Sequence, residues 1–127
     1  MKRFASYGSL RKGFYNHNRF GLGEPIATST VRGAMYVNPY LGYPMLYEKG
    51  DKDKVRDHVI EIYEVEDELY DRINMMEEMA GYIPKTMYPD PNNDKNGATV
   101  WFMNPARPPL LAHWVEKYEQ NDTNRSK

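Results

Sequence analysis

The chain contains no cysteine. That absence excludes disulfides, a thiolate nucleophile and the usual zinc ligand sets, so any chemistry must come from oxygen and nitrogen groups. A surplus of positive charge is missing as well: 17 Lys and Arg stand against 18 Asp and Glu, for a formal net charge of -1. Nonspecific phosphate binding depends on clustered positive charge, so the composition gives no support to nucleic acid as a partner. Polar or charged residues interrupt every hydrophobic stretch, and none approaches the roughly 20 apolar residues of a membrane-crossing helix. The opening residues Met1-Lys2-Arg3-Phe4-Ala5-Ser6-Tyr7 have no apolar run behind their basic pair. They do not read as a secretory signal, and a cytoplasmic location is expected. His17, His58 and His113 lie far apart without a His-Glu-x-x-His pattern, so they read as surface or packed histidines and no metal is expected.

What is present fits one soluble globular domain. The 127 residues, 40% of them hydrophobic, suffice for a single core around a modest pocket and leave little room for a second domain. No internal repeat or linker divides the chain. The expectation is one domain over residues 1–120 and a mobile tail at 121–127.

Residues 4–7 read as the end of a first strand that runs into Gly8-Ser9-Leu10-Arg11-Lys12-Gly13, where two glycines permit a tight, exposed turn. Residues 26–37 are β-rich, with a bend expected at Gly33. An aromatic loop, Pro39-Tyr40-Leu41-Gly42-Tyr43-Pro44, leads to a short apolar piece at 45–47. After the charged turn at 50–54, residues 58–65 alternate as a strand with a buried face. Two further strands, 85–88 and 98–103, flank a polar loop ending in Asn96-Gly97 and predict a hairpin. Residues 105–118 suit either a helical face or an extended tail.

The spacing predicts a helix over 67–79, opened by Asp67-Glu68 at the positive end of its dipole. Leu69, Ile73, Met76 and Ala80 make one stripe. At about 100° per residue, Glu77 lies roughly 80° from Leu69, between Ile73 and Tyr70, whereas Glu78 lies near 180°. Glu77 therefore borders the apolar face and Glu78 faces water. Most helical glutamates are simply solvated. A carboxylate walled by Ile73 and Tyr70, however, would lose hydration and have its pKa raised toward the range useful for proton transfer. Met75, Met76 and Met79 read as core filler.

Other chemistries find no footing. Gly8 and Gly13 have the outer spacing of a P-loop, but Phe14 and Tyr15 stand where Lys and then Ser or Thr are required. Exposed amides in such a turn would still suit an anion, a carboxylate included. Ser9 lacks the Gly-x-Ser-x-Gly elbow, so a serine nucleophile is not expected.

The order of these pieces resembles the γ-glutamylcyclotransferase-like superfamily, and most of all its branch of γ-glutamylamine cyclotransferase and AIG2-like proteins. Phe4-Ala5-Ser6-Tyr7-Gly8-Ser9-Leu10-Arg11-Lys12-Gly13 is similar to the family's opening Tyr-Gly-Ser/Thr-Leu signature. The likeness continues through Asn16-His17, Val31-Arg32-Gly33-Ala34-Met35-Tyr36, Tyr43-Pro44-Met45-Leu46 and Val59-Ile60-Glu61-Ile62-Tyr63-Glu64-Val65, across most of residues 3–103. Ile73-Asn74-Met75-Met76-Glu77-Glu78, with Tyr82 downstream, takes the place of the Leu-Asp-x-x-Glu-Gly helix that carries the family's acid-base glutamate. Asn74 and Glu78 depart from the usual Asp and Gly, and Tyr82 to Lys85 departs from Tyr-x-Arg.

The resemblance implies an α+β fold, a compact mixed β-barrel with flanking short helices. It implies an amide-cleaving cyclotransferase, an acyltransferase or lyase by its chemistry, that acts on a small γ-glutamyl substrate, closes 5-oxoproline and releases the amine. No cofactor is implied. Glu77 would be catalytic. Tyr7, Gly8, Ser9, Leu10, Arg11, Tyr43, Pro44 and Tyr82 would bind substrate, with the loop backbone on its carboxylate. Two alternatives stand beside this: a noncatalytic small-ligand-binding protein on the same fold, and an interaction protein that uses the aromatic surface around Tyr40 and Tyr43.

Overall fold

β-branched and aromatic residues recur in several short segments, and the structure, a computed structural model, joins those segments into one curled sheet. It describes residues 1–37, 43–88, 97–103, 108 and 112–118. Outside the described residues lie the aromatic loop at 39–42, the turn loop at 89–96, most of the stretch 105–111 and the tail 121–127.

The strands are β1 (Lys2–Ser6), β2 (Ala27–Val37), β3 (Pro44–Tyr47), β4 (Val55–Val65), β5 (Tyr82–Met87), β6 (Ala98–Met103) and β7 (His113–Trp114); the helices are α1 (Tyr15–Arg19) and α2 (Asp67–Met79). The sheet order is β3-β2-β4-β1-β6-β5, with β7 beside β2. Most pairs are antiparallel; β1 and β6 are parallel, with Phe4 opposite Thr99. The result is a mixed sheet curled into a half-barrel with two short helices, in agreement with the expected fold class.

β2 passes through Gly33 without a break in pairing and serves three neighbours. From Ala27 to Ala34 it pairs with β4, and from Ala34 to Val37 it pairs with β3 on its other edge. Tyr36 is opposite both Met45 and Trp114, so β7 continues the edge where β4 leaves off. The ambiguous C-terminal stretch is thus extended, not helical, at 113–114. β5 and β6 form the expected antiparallel pair, although β5 begins at Tyr82.

Period-two alternation assigns side chains to two cores. Ala5, Met35, Leu46, Ile60, Ile62, Val100 and Phe102 meet on the inner face of the curl. Phe4, Tyr63, Val65 and Trp101 turn to the other face and pack with Ile73 of α2. The helix matches its predicted bounds, carries Asp67 and Glu68 in its first turn and stops before Gly81, whose φ of +97° breaks helical geometry. Its apolar stripe is narrower than expected. Ile73 is fully buried, whereas Leu69 and Met76 are half-buried and Ala80 is exposed.

The core-filler reading of the methionines fails for two of them. Met75 and Met79 are 63% and 83% exposed, because both point away from the sheet that Ile73 covers. Met76 alone turns inward, toward a cavity.

Candidate active site

β1 delivers Tyr7 to the edge of the curl, and the chain then reverses: the Arg11 amide donates to the Gly8 carbonyl at 3.0 Å, and the Phe14 amide to that of Arg11 at 3.0 Å. Gly8 is required here for a steric reason. A Cβ at this position would lie 2.7 Å from Pro44 Cγ, too close for any side chain, so glycine lets the loop rest against β3. The helix α1, unforeseen in the sequence, braces the turn from the far side. Asn16 Nδ2 donates to Ser9 Oγ at 2.7 Å, and the His17 amide donates to the Ser9 carbonyl at 3.0 Å.

Of Gly8, Ser9 and Leu10, the loop residues that line a cavity, two have amides without an acceptor among the described residues. The Gly8 amide donates to Ser6 Oγ and the Lys12 amide to a Glu61 carboxylate oxygen. Those of Ser9 and Leu10 have no acceptor among the described residues. Adjacent backbone N–H groups in such a turn form a concave anion site.

A cavity of about 180 Å³ lies between this loop, β3 and the last turn of α2. Tyr7, Gly8, Ser9, Leu10, Tyr43, Pro44, Glu77 and Tyr82 all line it, so the structure brings together these sequence-predicted residues. Arg11 is the exception. Its turn carries the side chain elsewhere, where one guanidinium NH2 donates to the Tyr118 carbonyl at 3.1 Å.

Glu77 is the one charged side chain lining the cavity among the described residues. Burial lifts its carboxyl pKa from the ordinary 4.5 to about 7, since little water remains to solvate the charged form. The walls differ from those expected. Met76, Ala80 and Trp101 line the cavity with Glu77, while Ile73 packs underneath in the outer core and the Tyr70 hydroxyl meets Thr99 Oγ1 at 2.7 Å. Glu78, one residue on, is exposed and accepts from Asn74 Nδ2 at 2.8 Å.

The tyrosines are fixed by the backbone. The Tyr7 hydroxyl donates to the Trp101 carbonyl at 2.6 Å, and the Tyr82 hydroxyl donates to the Pro44 carbonyl. Burial, with Glu77 nearby, raises the Tyr7 pKa well above its ordinary value, and burial likewise raises that of Tyr82, so both stay neutral. Trp101 is held in turn from α2, its indole Nε1 donating to Asn74 Oδ1 at 2.8 Å. Ala5, Ser6, Asn16, Met76, Ala80 and Trp101 also line the cavity and are not among the site residues that the sequence points to. The alternation of β6 marks Trp101 as lying on the helix-facing side, but nothing local links it to a loop more than ninety residues earlier.

Other chemistries gain nothing from the geometry. His17 Nε2 faces the Gly23 carbonyl at 2.9 Å and His58 Nε2 the Gly33 carbonyl at 3.2 Å, while His113 is exposed. Among the described residues no group of three or more His, Asp or Glu could hold a metal ion, and no helix is long and apolar enough to cross a membrane.

Comparison with known proteins bears on the family and the fold. The family described as gamma-glutamyl cyclotransferase, AIG2-like, matches residues 4–122. An uncharacterised protein of Pyrococcus horikoshii superposes with a TM-score of 0.69 at 21% identity, over 99% of this chain and 95% of its own. An AIG2-like protein of Mus musculus gives a TM-score of 0.61 at 19% identity, over 99% and 92% respectively. At these identities the two structures establish the fold alone. No curated protein matches the chain in sequence.

Proposed function

Because the chain belongs to the AIG2-like γ-glutamyl cyclotransferase family, we propose that it cyclises a γ-glutamyl amine or γ-glutamyl amino acid to 5-oxoproline and releases the attached amine, with Glu77 as general acid and base. The observation that carries this reading is the position of Glu77: a desolvated carboxyl in the same small cavity as the unsatisfied Ser9 and Leu10 amides.

The substrate's α-carboxylate is held by those loop amides, and Tyr7 and Tyr82 orient the glutamyl head. Tyr43 and Pro44 flank the leaving group. The ionised Glu77 carboxylate takes a proton from the substrate's α-ammonium. The freed amine nitrogen attacks the γ-carbonyl carbon, forming the ring C–N bond and placing the carbonyl electrons on oxygen. As that oxyanion collapses, the original amide C–N bond breaks, and protonated Glu77 gives its proton to the departing nitrogen. The attack leaves two hydrogens on the ring nitrogen, which gives up the second to become the lactam N–H. That proton ends on the released amine, so two protons in all pass from the attacking to the leaving nitrogen, the amine departs as its ammonium form, and Glu77 is restored. A group with a pKa of about 7 suits both halves of that transfer near neutral pH. The ring closure is intramolecular, so a cavity that fixes the near-attack geometry supplies much of the acceleration.

The test is to incubate the protein with a panel of γ-glutamyl amines and γ-glutamyl amino acids and to detect 5-oxoproline by mass spectrometry. Release that disappears in Glu77→Gln supports the assignment. Release at an unchanged rate in that variant overturns it. Binding without turnover across the panel transfers support to the ligand-binding alternative, in which Glu77 only pairs with the substrate's ammonium group.

A further inference from the structure

Tyr7 also walls a second cavity, of about 410 Å³, which none of the chemistry above uses. Arg11 and Arg56 line it, with Met35, His58, Lys117 and Tyr118. It opens where the sheet is incomplete: β4 pairs with β1 only from Glu61 onward, so its stretch 55–60 has no strand on that second edge among the described residues.

The two arginines are committed to carbonyls and rings, not to carboxylates. Arg11 donates to the Tyr118 carbonyl and lies 4.6 Å from the Phe14 ring centroid, and its Nε is buried without a partner among the described residues. Arg56 donates to the Val55 carbonyl at 3.1 Å and lies over the Trp114 ring at 5.4 Å. Neither forms an ion pair among the described residues. Asp57, which also lines the cavity, is already paired with Arg32 at 3.1 Å. Glu116 is the other acidic residue there. His58 adds no charge, because burial lowers its pKa and keeps the ring neutral.

The nearest opposite charge acting on Arg11 is the Glu61 carboxylate, which is taken up by the Lys12 amide and the Tyr63 hydroxyl. A part-buried guanidinium with no direct ion pair is an arrangement that an anion would relieve. Its planar fork matches a carboxylate. We propose that this cavity binds a small organic carboxylate through Arg11 and Arg56, with the ligand's apolar body against Met35, Tyr118 and the Tyr7 ring.

The probe is benzoate, titrated into the full chain and followed by calorimetry and by tryptophan fluorescence, to which Trp114 under Arg56 is a natural reporter. Saturable binding is expected, weakened about tenfold or more by Arg11→Gln and by Arg56→Gln and retained in Glu77→Gln. Thermal unfolding of each variant identifies any that is misfolded, and Arg56→Gln serves if Arg11→Gln loosens the Tyr118 segment. No saturation at tens of millimolar benzoate overturns the proposal, as does binding indifferent to both arginine substitutions. Loss of binding in Glu77→Gln alone overturns it by placing benzoate in the other cavity. Inorganic phosphate that binds more tightly than benzoate overturns the carboxylate assignment.

Discussion

Two cavities share Tyr7 and differ in the charged groups that line them. The smaller has one carboxyl, that of Glu77; the larger has the guanidinium groups of Arg11 and Arg56. Burial acts on both, raising the pKa of Glu77 to about 7 and lowering that of Arg11, and in each case desolvation is the largest cause. The outcomes differ because the starting points differ. A carboxyl displaced from 4.5 arrives in the range where it exchanges protons near neutrality, whereas a guanidinium displaced from 12.5 stays charged. The same physical effect therefore makes a proton-transfer group in one cavity and leaves a fixed charge in the other.

The hardest test of that contrast is Glu77→Gln beside Glu78→Gln. The first should lower the rate of 5-oxoproline release by about 10²–10⁴-fold, and the second should leave it within about twofold. Equal losses in the two variants would erase the distinction between a desolvated and a solvated glutamate.

The next largest effect is on stability. Folding raises the Glu77 pKa from 4.5 to about 7, so the folded chain keeps a proton that the unfolded chain releases. The contribution of Glu77 to stability is thus full below about pH 4.5 and is lost as pH rises through about 7. Glu77→Gln has no proton to lose. Its stability relative to the parent should improve by roughly 1–3 kcal/mol between about pH 4 and pH 8 in urea denaturation. An unchanged difference across that range would mean that the carboxyl is well hydrated.

A steric change should sharpen the contrast by damaging one cavity only. Gly8→Ala drives a methyl group into Pro44, so KM for a γ-glutamyl substrate should rise about tenfold and stability fall by about 1–3 kcal/mol, while benzoate binding at the arginine cavity stays within about twofold. Smallest of all, Met79→Gln on the exposed side of α2 should shift stability by no more than about 0.5 kcal/mol and leave both cavities untouched.

Much of this arrangement is legible in the sequence where one element decides it. The bounds of α2 follow from Asp67-Glu68 and Gly81, and helical angles alone separate Glu77 from Glu78. Strand alternation places Ile60 and Ile62 opposite Tyr63 and Val65. What could not be read depends on tertiary placement. Met75 and Met79 are as apolar as Met76, and only the position of the sheet decides which of them is covered. Arg11 is one residue from the loop that lines the smaller cavity, yet a backbone turn sends its side chain to the larger one. α1, with five residues, and β7, with two, are too brief to show a period, and both are fixed by partners elsewhere, Ser9 for α1 and Tyr36 for β7.

The place of β1 has a consequence for the order in which the molecule is built. This strand lies in the middle of the sheet, between β4 and β6, and the ligand loop hangs from its end. During synthesis it emerges well ahead of both neighbours: its antiparallel partners wait until residues 61–65 are made, and its parallel partner waits until Thr99. Contacts so distant in sequence close slowly, because long loops must be ordered before they reward the chain. On that ground the loop carrying the Ser9 and Leu10 amides is expected to settle only after β1 has gained both neighbours. A chain halted before β6 would carry the acidic helix and the glycine turn without Trp101, the wall that stands between them and anchors the Tyr7 hydroxyl.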